Sequence, residues 1–253
     1  MRIRAVIFDW AGTTVDYGCR APVQVLVRIF AASGVELLPA ESRHAMGLMK
    51  KDQIREILRL PRVAEAWRAS RGAPPEEEDV RLLFDRFIPD QLACIEEYSD
   101  VIPGVPTVAA RLRERGIRIG STTGYTREML QLVLARARGQ NYAPDVSITP
   151  TETGEGRPAP WMIFENMRRL NVYPPDACIK VGDTPSDIQE GRNAGVWTVG
   201  VAASSSDACL LGIDAARSRL RSSGADFVVD TLAELDAVIE DLNARAESTM
   251  RTV

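Results

Sequence analysis

Lysine is scarce in this sequence. Of 31 basic residues only Lys50, Lys51 and Lys180 are not arginine. Arginine stays charged and does no amine chemistry, so any nucleophilic amine falls to one of three side chains. Histidine is scarcer still, with His44 alone. The four cysteines, Cys19, Cys94, Cys178 and Cys209, form no CxxC pair. That argues against a zinc or dithiol redox site and for reduced thiols in a cytoplasmic protein. No apolar run reaches the roughly 18 residues of a membrane span, and AVIF behind Arg2 and Arg4 is too short for a signal-peptide core. A strong charge excess is missing too. The 35 acidic and 31 basic residues leave a net charge of −4, which argues against nucleic acid as a partner. Neither an internal repeat nor a low-complexity segment is evident. What remains is a 253-residue chain, 45% hydrophobic, long enough for one large domain or a domain plus an insert. Such a chain can bury a sizeable core without disulfides.

Short apolar runs punctuate the chain at 3–8 (IRAVIF), 117–121, 145–148, 178–181, 196–201 and 227–229. Each reads as a buried strand. Helical patterns lie between them at 106–115, 127–138, 160–170, 185–194 and 232–243. Strands alternating with helices predict an α/β fold with a Rossmann-like, doubly wound parallel sheet, whose ligands bind beyond the carboxyl ends of the strands. Residues 20–99 break the alternation with helical periodicity only. They are expected to form an inserted helical domain, with the core made of 1–19 and 100–253. The acidic run at 76–79 reads as a helix start, and Pro103-Gly104 as the return to the core. Residues 248–253 are expected to fray.

Polar residues gather where the strands end. Asp9 follows the first strand and opens the turn Trp10-Ala11-Gly12-Thr13. A carboxylate there suits a nucleophile that is also a metal ligand, and the backbone amides of the turn suit an oxyanion. A loop aspartate capping a turn is the plain alternative. Gly182-Asp183 through Asp187 places two carboxylates four residues apart at a helix start, fit for a hard cation such as Mg²⁺, although Asp187 could equally be a first-turn acidic residue. Thr122, Thr123 and Gly124 supply hydroxyls and a tight backbone at a third strand end. Arg157 supplies a fixed cation for phosphoryl oxygens.

The order of these groups, an Asp, then Ser/Thr, then Arg, then GDxxxD, resembles the haloacid dehalogenase superfamily of phosphoryl-transfer enzymes. That resemblance implies a Rossmann-like core with a mobile cap, and residues 20–99 match a helical cap. One position departs from the superfamily phosphatases. They carry a second Asp two residues after the nucleophile, as general acid for the leaving oxygen, and here that position is Ala11. Without that acid an alkoxide leaves poorly, so the leaving group has to be activated in another way.

Longer segments narrow the resemblance. MGLMKKD at 46–52, DWAGTTVDYG at 9–18, GSTTGYTREM at 120–129, GRPAPWM at 156–162 and VGDTPSDIQEGRNAGVWTVGV at 181–201 are similar to the phosphonoacetaldehyde hydrolase (phosphonatase) family. The resemblance implies Mg²⁺-dependent cleavage of a C–P bond through an imine on Lys50 and attack by Asp9. It implies metal ligation by the Asp9 carboxylate, the Ala11 carbonyl and Asp183, with Asp187 nearby. Substrate contacts are expected from Gly12, Thr13, Met46, Gln53, Thr123, Gly124, Tyr125 and Arg157, with Cys19 near the mouth of the site or the cap hinge. For Met46 and Cys19 simple packing is an equal reading. A homodimer joined through the caps, acting on a small-molecule phosphonate, is also implied.

An imine needs a neutral amine, and an ordinary lysine is only ~0.04% neutral at pH 7. Burial or a nearby cation, such as Lys51 or the metal, would lower its pKa. Taken alone, Lys50 would read as a solvated helix lysine. Lys51 is expected to face solvent, and Lys180 sits in a strand with no assigned role. Gln53 stands where the family carries a His three residues beyond the lysine. Glutamine can hold a water but has no useful pKa. This leaves a relative acting on a substituted phosphonoaldehyde as one alternative. A superfamily phosphatase and a non-catalytic phosphonate-binding protein are the others. His44 reads as a surface polar residue.

Overall fold

The computed structural model describes residues 2–250, with side chains through residue 246. Its strands are β1 (Ala5–Phe8), β2 (Arg118–Thr122), β3 (Val146–Ile148), β4 (Cys178–Gly182), β5 (Trp197–Val201) and β6 (Phe227–Val229). All pair in parallel, in the order β3-β2-β1-β4-β5-β6. Successive side chains of β1 point to opposite faces, and both faces are dry. Val6 and Phe8 pack with Ile119, Ile179, Val181 and Val199, whereas Ala5 and Ile7 pack with Ile163, Met167 and Cys178. This is why the strands read as continuous apolar runs.

The helices are α1 (Arg20–Ala31), α2 (Lys50–Arg59), α3 (Pro61–Arg71), α4 (Glu77–Cys94), α5 (Val105–Glu114), α6 (Arg127–Arg138), α7 (Pro150–Thr153), α8 (Trp161–Leu170), α9 (Pro185–Ala194), α10 (Ser206–Leu211), α11 (Ile213–Ser222) and α12 (Leu235–Met250). Helices α5 and α12 cover the Val6/Phe8 face of the sheet and α8 covers the other. Between β1 and β2 lie five helices, α1 to α4 within residues 20–99, where the sequence shows helical periodicity only, and then α5. Where the chain leaves for α1 and returns from α4, the two connecting segments run side by side. Val15 and Val101 form an antiparallel bridge, and the Asp16 amide donates to the Asp100 carbonyl at 3.2 Å. The Asp16 carboxylate then caps α1, accepting from the amides of Arg20 at 2.8 Å and Ala21 at 3.0 Å. Helix α4 starts with a reciprocal capping box between Glu76 and Asp79, within the acidic run expected to open it. Helices α10 and α11 carried little sequence signal; α11 buries only Ala216 and Leu220. Of the stretch 248–253 expected to fray, residues 248–250 continue α12 and residues 251–253 lie outside the described residues.

The sheet order reverses between β1 and β4, and there the crevice of a doubly wound sheet forms. Phe8 registers with Val181, and the Asp9 amide donates to the Val181 carbonyl at 2.8 Å. Asp9 and Asp183 therefore emerge side by side at that switch point.

Candidate active site

Asp9, Asp183 and Asp187 are buried, and each offers one carboxylate oxygen within 4.8 Å of the others. The turn after Asp9 is built against this cluster. Thr13 donates its hydroxyl to Asp183 Oδ1 at 2.9 Å. Gly12 has φ of 85°, and a Cβ on it would lie 2.4 Å from Asp183 Oδ2, so only glycine fits between the turn and the carboxylate. The amides of Gly12 and Thr13 donate within the turn, to the carbonyls of Val15 at 2.8 Å and Trp10 at 3.1 Å. They shape the turn. The Cys19 thiol lies 3.2 Å from the Ala11 carbonyl and 3.7 Å from Asp183 Oδ2.

Asp187 caps a helix with one oxygen and turns the other toward the site. Its Oδ2 accepts from the Thr184 hydroxyl at 2.6 Å and closes a capping box at the start of α9. Its Oδ1 lies 3.0 Å from Arg157 Nη1 and 3.0 Å from Lys180 Nζ. Arg157 is itself buried and reaches Asp9 Oδ1 through Nη2 at 2.6 Å. Neither Lys180 nor Glu190 was assigned a role from sequence, yet both are fully buried here. Glu190 carried no motif, although a charged residue three positions after Asp187 on a helix shares its face.

Burial pushes the Asp9 and Asp183 carboxyls above their ordinary range. For Asp9 the Arg157 charge opposes this; for Asp183 the charges of Asp9 and Asp187 add to it. Burial works on Asp187 in the same direction, but Arg157, Lys180 and the Thr184 hydrogen bond outweigh it and hold that group low. Asp9, Asp183 and Asp187 thus bring three buried carboxylates together. This all-oxygen donor set fits one hard divalent cation.

Lys50 begins α2 and is 5% exposed. Its Nζ donates to Gln53 Oε1 at 3.0 Å and sits 5.8 Å from the centre of the Tyr125 ring. Burial lowers its pKa to about 8, against the opposing pull of the acidic groups nearby. The cation that adds to the lowering is Arg157. Lys51 turns away, 3.7 Å from Glu77 and 39% exposed. Lys50 shares a cavity of about 20 Å³ with Asp9, Ala11, Cys19, Pro22, Met46, Gly47, Thr123, Gly124, Tyr125 and Thr184.

Gln53, Gly12, Thr13 and Arg157 stand behind that lining rather than in it. Gln53 spends its amide within the protein, donating to the His44 carbonyl at 3.2 Å and to Met46 Sδ at 3.6 Å. The loop ahead of Lys50 is clamped to the strand ends. Ser186 donates to the Met46 carbonyl at 3.2 Å, Arg157 donates to the Gly47 carbonyl at 3.4 Å, and a Cβ on Gly124 would lie 2.4 Å from the Leu48 carbonyl oxygen.

A parallel sheet in this order, with an aspartate cluster at its switch point, defines a class. The chain belongs to the haloacid dehalogenase-like hydrolases, whose family model matches residues 3–195. Within that class it falls with the phosphonoacetaldehyde hydrolases. It is 46% identical over 256 residues to the phosphonoacetaldehyde hydrolase of Bacillus cereus (strain B4264), covering 96% of this chain and 97% of the relative. The phosphonoacetaldehyde hydrolase of Bacillus mycoides (strain KBAB4) matches equally, at 46% over 256 residues with the same coverage. Among solved structures, a phosphonoacetaldehyde hydrolase-like protein from Oleispira antarctica superposes with a TM-score of 0.92 at 38% identity, covering 97% of this chain and 94% of the other. The β-phosphoglucomutase of Clostridium difficile, at 18% identity and a TM-score of 0.75, covering 96% and 99%, shares the fold. The chain is thus an enzyme of this hydrolase family. None of its described helices is long and apolar enough to cross a membrane.

Proposed function

We propose that the chain hydrolyses the C–P bond of phosphonoacetaldehyde to acetaldehyde and phosphate, with Lys50 and Asp9 as catalytic residues. The observation that carries this reading is the shared cavity of Lys50 and Asp9, with the amine held at a pKa of about 8. At that value roughly a tenth of the amine is neutral at pH 7, some hundreds of times the fraction of an ordinary lysine.

In this mechanism Lys50 Nζ adds to the aldehyde carbonyl and expels water, leaving a protonated imine. Asp9 attacks phosphorus in line. The C–P bonding pair moves onto carbon and into the imine, so carbon departs as a neutral enamine. Protonation at carbon and hydrolysis release acetaldehyde and regenerate Lys50. Water then cleaves the aspartyl phosphate. No general acid for a leaving oxygen is needed, which accords with Ala11 at the position where superfamily phosphatases carry one. A Mg²⁺ ion, held by Asp9, Asp183 and the Ala11 carbonyl with Asp187 beside them, would screen the Asp9 carboxylate from the phosphonate charge. Arg157 neutralises the phosphonate oxygens, and Met46, Thr123, Gly124 and Tyr125 enclose the substrate.

A 20 Å³ cavity has room for little more than one water. Substrate therefore enters when α2 and the 46–48 loop lift from the strand ends. This supports residues 20–99 as a cap over a core of 1–19 and 100–253. A cytoplasmic location, consistent with four cysteines that form no disulfide, and a homodimer joined through the caps, which the family resemblance implies, belong to the same reading.

The test is product stoichiometry. Phosphonoacetaldehyde should yield acetaldehyde and phosphate one for one. Phosphate from simple esters without aldehyde would identify a phosphatase, and no product a binding protein.

A further inference from the structure

Glu190 and Lys180 are buried charges with no part in the mechanism above. Glu190 Oε2 accepts from Arg157 Nε at 3.0 Å and from the Thr122 hydroxyl at 2.9 Å, and lies 3.3 Å from Lys180 Nζ. Lys180 Nζ donates to Thr122 Oγ1 at 2.7 Å and pairs with Asp187 Oδ1 at 3.0 Å. Thr122 closes the ring: its Oγ1 accepts from Arg157 Nη2 at 2.8 Å, and its carbonyl accepts from the same nitrogen at 2.9 Å.

A guanidinium is a planar fork, so holding its Nε edge fixes the direction of both Nη atoms. Those atoms face Asp9 and Asp187, at 2.6 Å and 3.0 Å, where the proposed reaction places the phosphonate. Lys180 sits between the carboxylates of Asp187 and Glu190. Without it both would draw on Arg157 alone, and the fork would serve two competing anions at the same time as its ligand. We propose that Glu190, with Lys180 as its counter-charge, is a positioning residue that sets the plane of Arg157 for phosphonate and phosphate oxygens. This rests on the reading that Arg157 meets the phosphonate. Glu190 holds the Nε edge of Arg157 while Nη2 reaches Asp9, so the pair acts through Arg157 rather than on the substrate.

The test uses the Mg²⁺-loaded enzyme, with Glu190→Gln and the paired variant Lys180→Met/Glu190→Gln. The paired change removes opposite charges together, so it carries the test where the single variant does not fold. Three quantities are read in variants that melt as the wild type does: KM and kcat for phosphonoacetaldehyde, competitive inhibition by inorganic phosphate, and borohydride-trapped labelling of Lys50 by acetaldehyde. Loss of one charge-assisted hydrogen bond is expected to raise the phosphate inhibition constant and KM by about ten-fold or more. Acetaldehyde labelling should stay within about two-fold, because that step involves no phosphonate. Phosphate inhibition and KM within two-fold of wild type would overturn the proposal. So would a fall in acetaldehyde labelling parallel to the loss of phosphate affinity, which would mean general damage. Failure of the wild type itself to label would count against the imine mechanism, while the phosphate constants would still decide the role of Glu190.

Discussion

Gln53 holds the Lys50 amine, its Oε1 accepting from Nζ at 3.0 Å one turn along α2. The Gln53 amide nitrogen is tied to the His44 carbonyl and Met46 Sδ, so its oxygen is aimed at Lys50. This geometry favours a part for Gln53 in imine formation over one in recognising a substituted aldehyde. Gln53→Leu should lower kcat/KM roughly ten-fold, the effect of one hydrogen bond to a charged or reacting nitrogen. Gln53→His should preserve or raise it, since histidine can accept the same bond and also move a proton. Steady-state kinetics on both variants checks this; a large loss in Gln53→His would mean that the amide itself meets substrate.

In the proposed mechanism Lys50 reacts as the neutral amine, so activity limited by imine formation should rise with pH through its pKa of about 8 and level off above it. Stability carries the mirror image. The native pKa lies below the ordinary value, so the unfolded chain binds this proton more tightly. The resulting penalty is fully present below about pH 8 and disappears as pH rises through about 10.5, and it amounts to about 3 kcal/mol for this buried side chain. Lys50→Met should therefore melt at or above the wild-type temperature at pH 7 while losing turnover. Thermal unfolding across pH 7–10 reads the effect; a variant much less stable than wild type at pH 7 would contradict it.

The raised carboxyls of Asp9 and Asp183 predict a dependence on divalent cation that needs no assay of activity. At a hundred times its Kd, Mg²⁺ should add about 3 kcal/mol to stability, or roughly 5–10 °C in Tm. EDTA should reverse the shift and stop turnover. Asp183→Asn should abolish the Mg²⁺-dependent rise, which differential scanning calorimetry would show directly.

Gly124 lies against the Leu48 carbonyl, two residues before Lys50. A Cβ there meets backbone, so Gly124→Ala has to push the 46–48 loop outward. Imine trapping at Lys50 should fall several-fold in this variant, whereas inhibition by phosphate, which depends on Arg157 and the aspartates, should change little. Equal trapping in both proteins would mean that this contact does not place the amine.

Much of this site was legible in the sequence because its chemistry sits at strand ends, where apolar runs stop abruptly at Asp9, Thr122 and Asp183. The strands themselves stand out because both faces are buried, which leaves no polar alternation to confuse them with amphipathic helix. The local roles were harder to see. Nothing in the spacing of Gly12 and Thr13 reveals that their amides are consumed within the turn. Glu190 escaped notice because its partners, Arg157, Lys180 and Thr122, come from three separate segments that only the folded sheet brings together. Asp187 looked like either a cap or a site residue, and its two oxygens are divided between the two tasks.

The most direct test of the mechanism is reduction with borohydride during turnover of phosphonoacetaldehyde, followed by peptide mass mapping. The account predicts a two-carbon adduct on Lys50, lost in Lys50→Arg together with acetaldehyde release. Undiminished turnover in Lys50→Arg, with no adduct on the wild type, would contradict it.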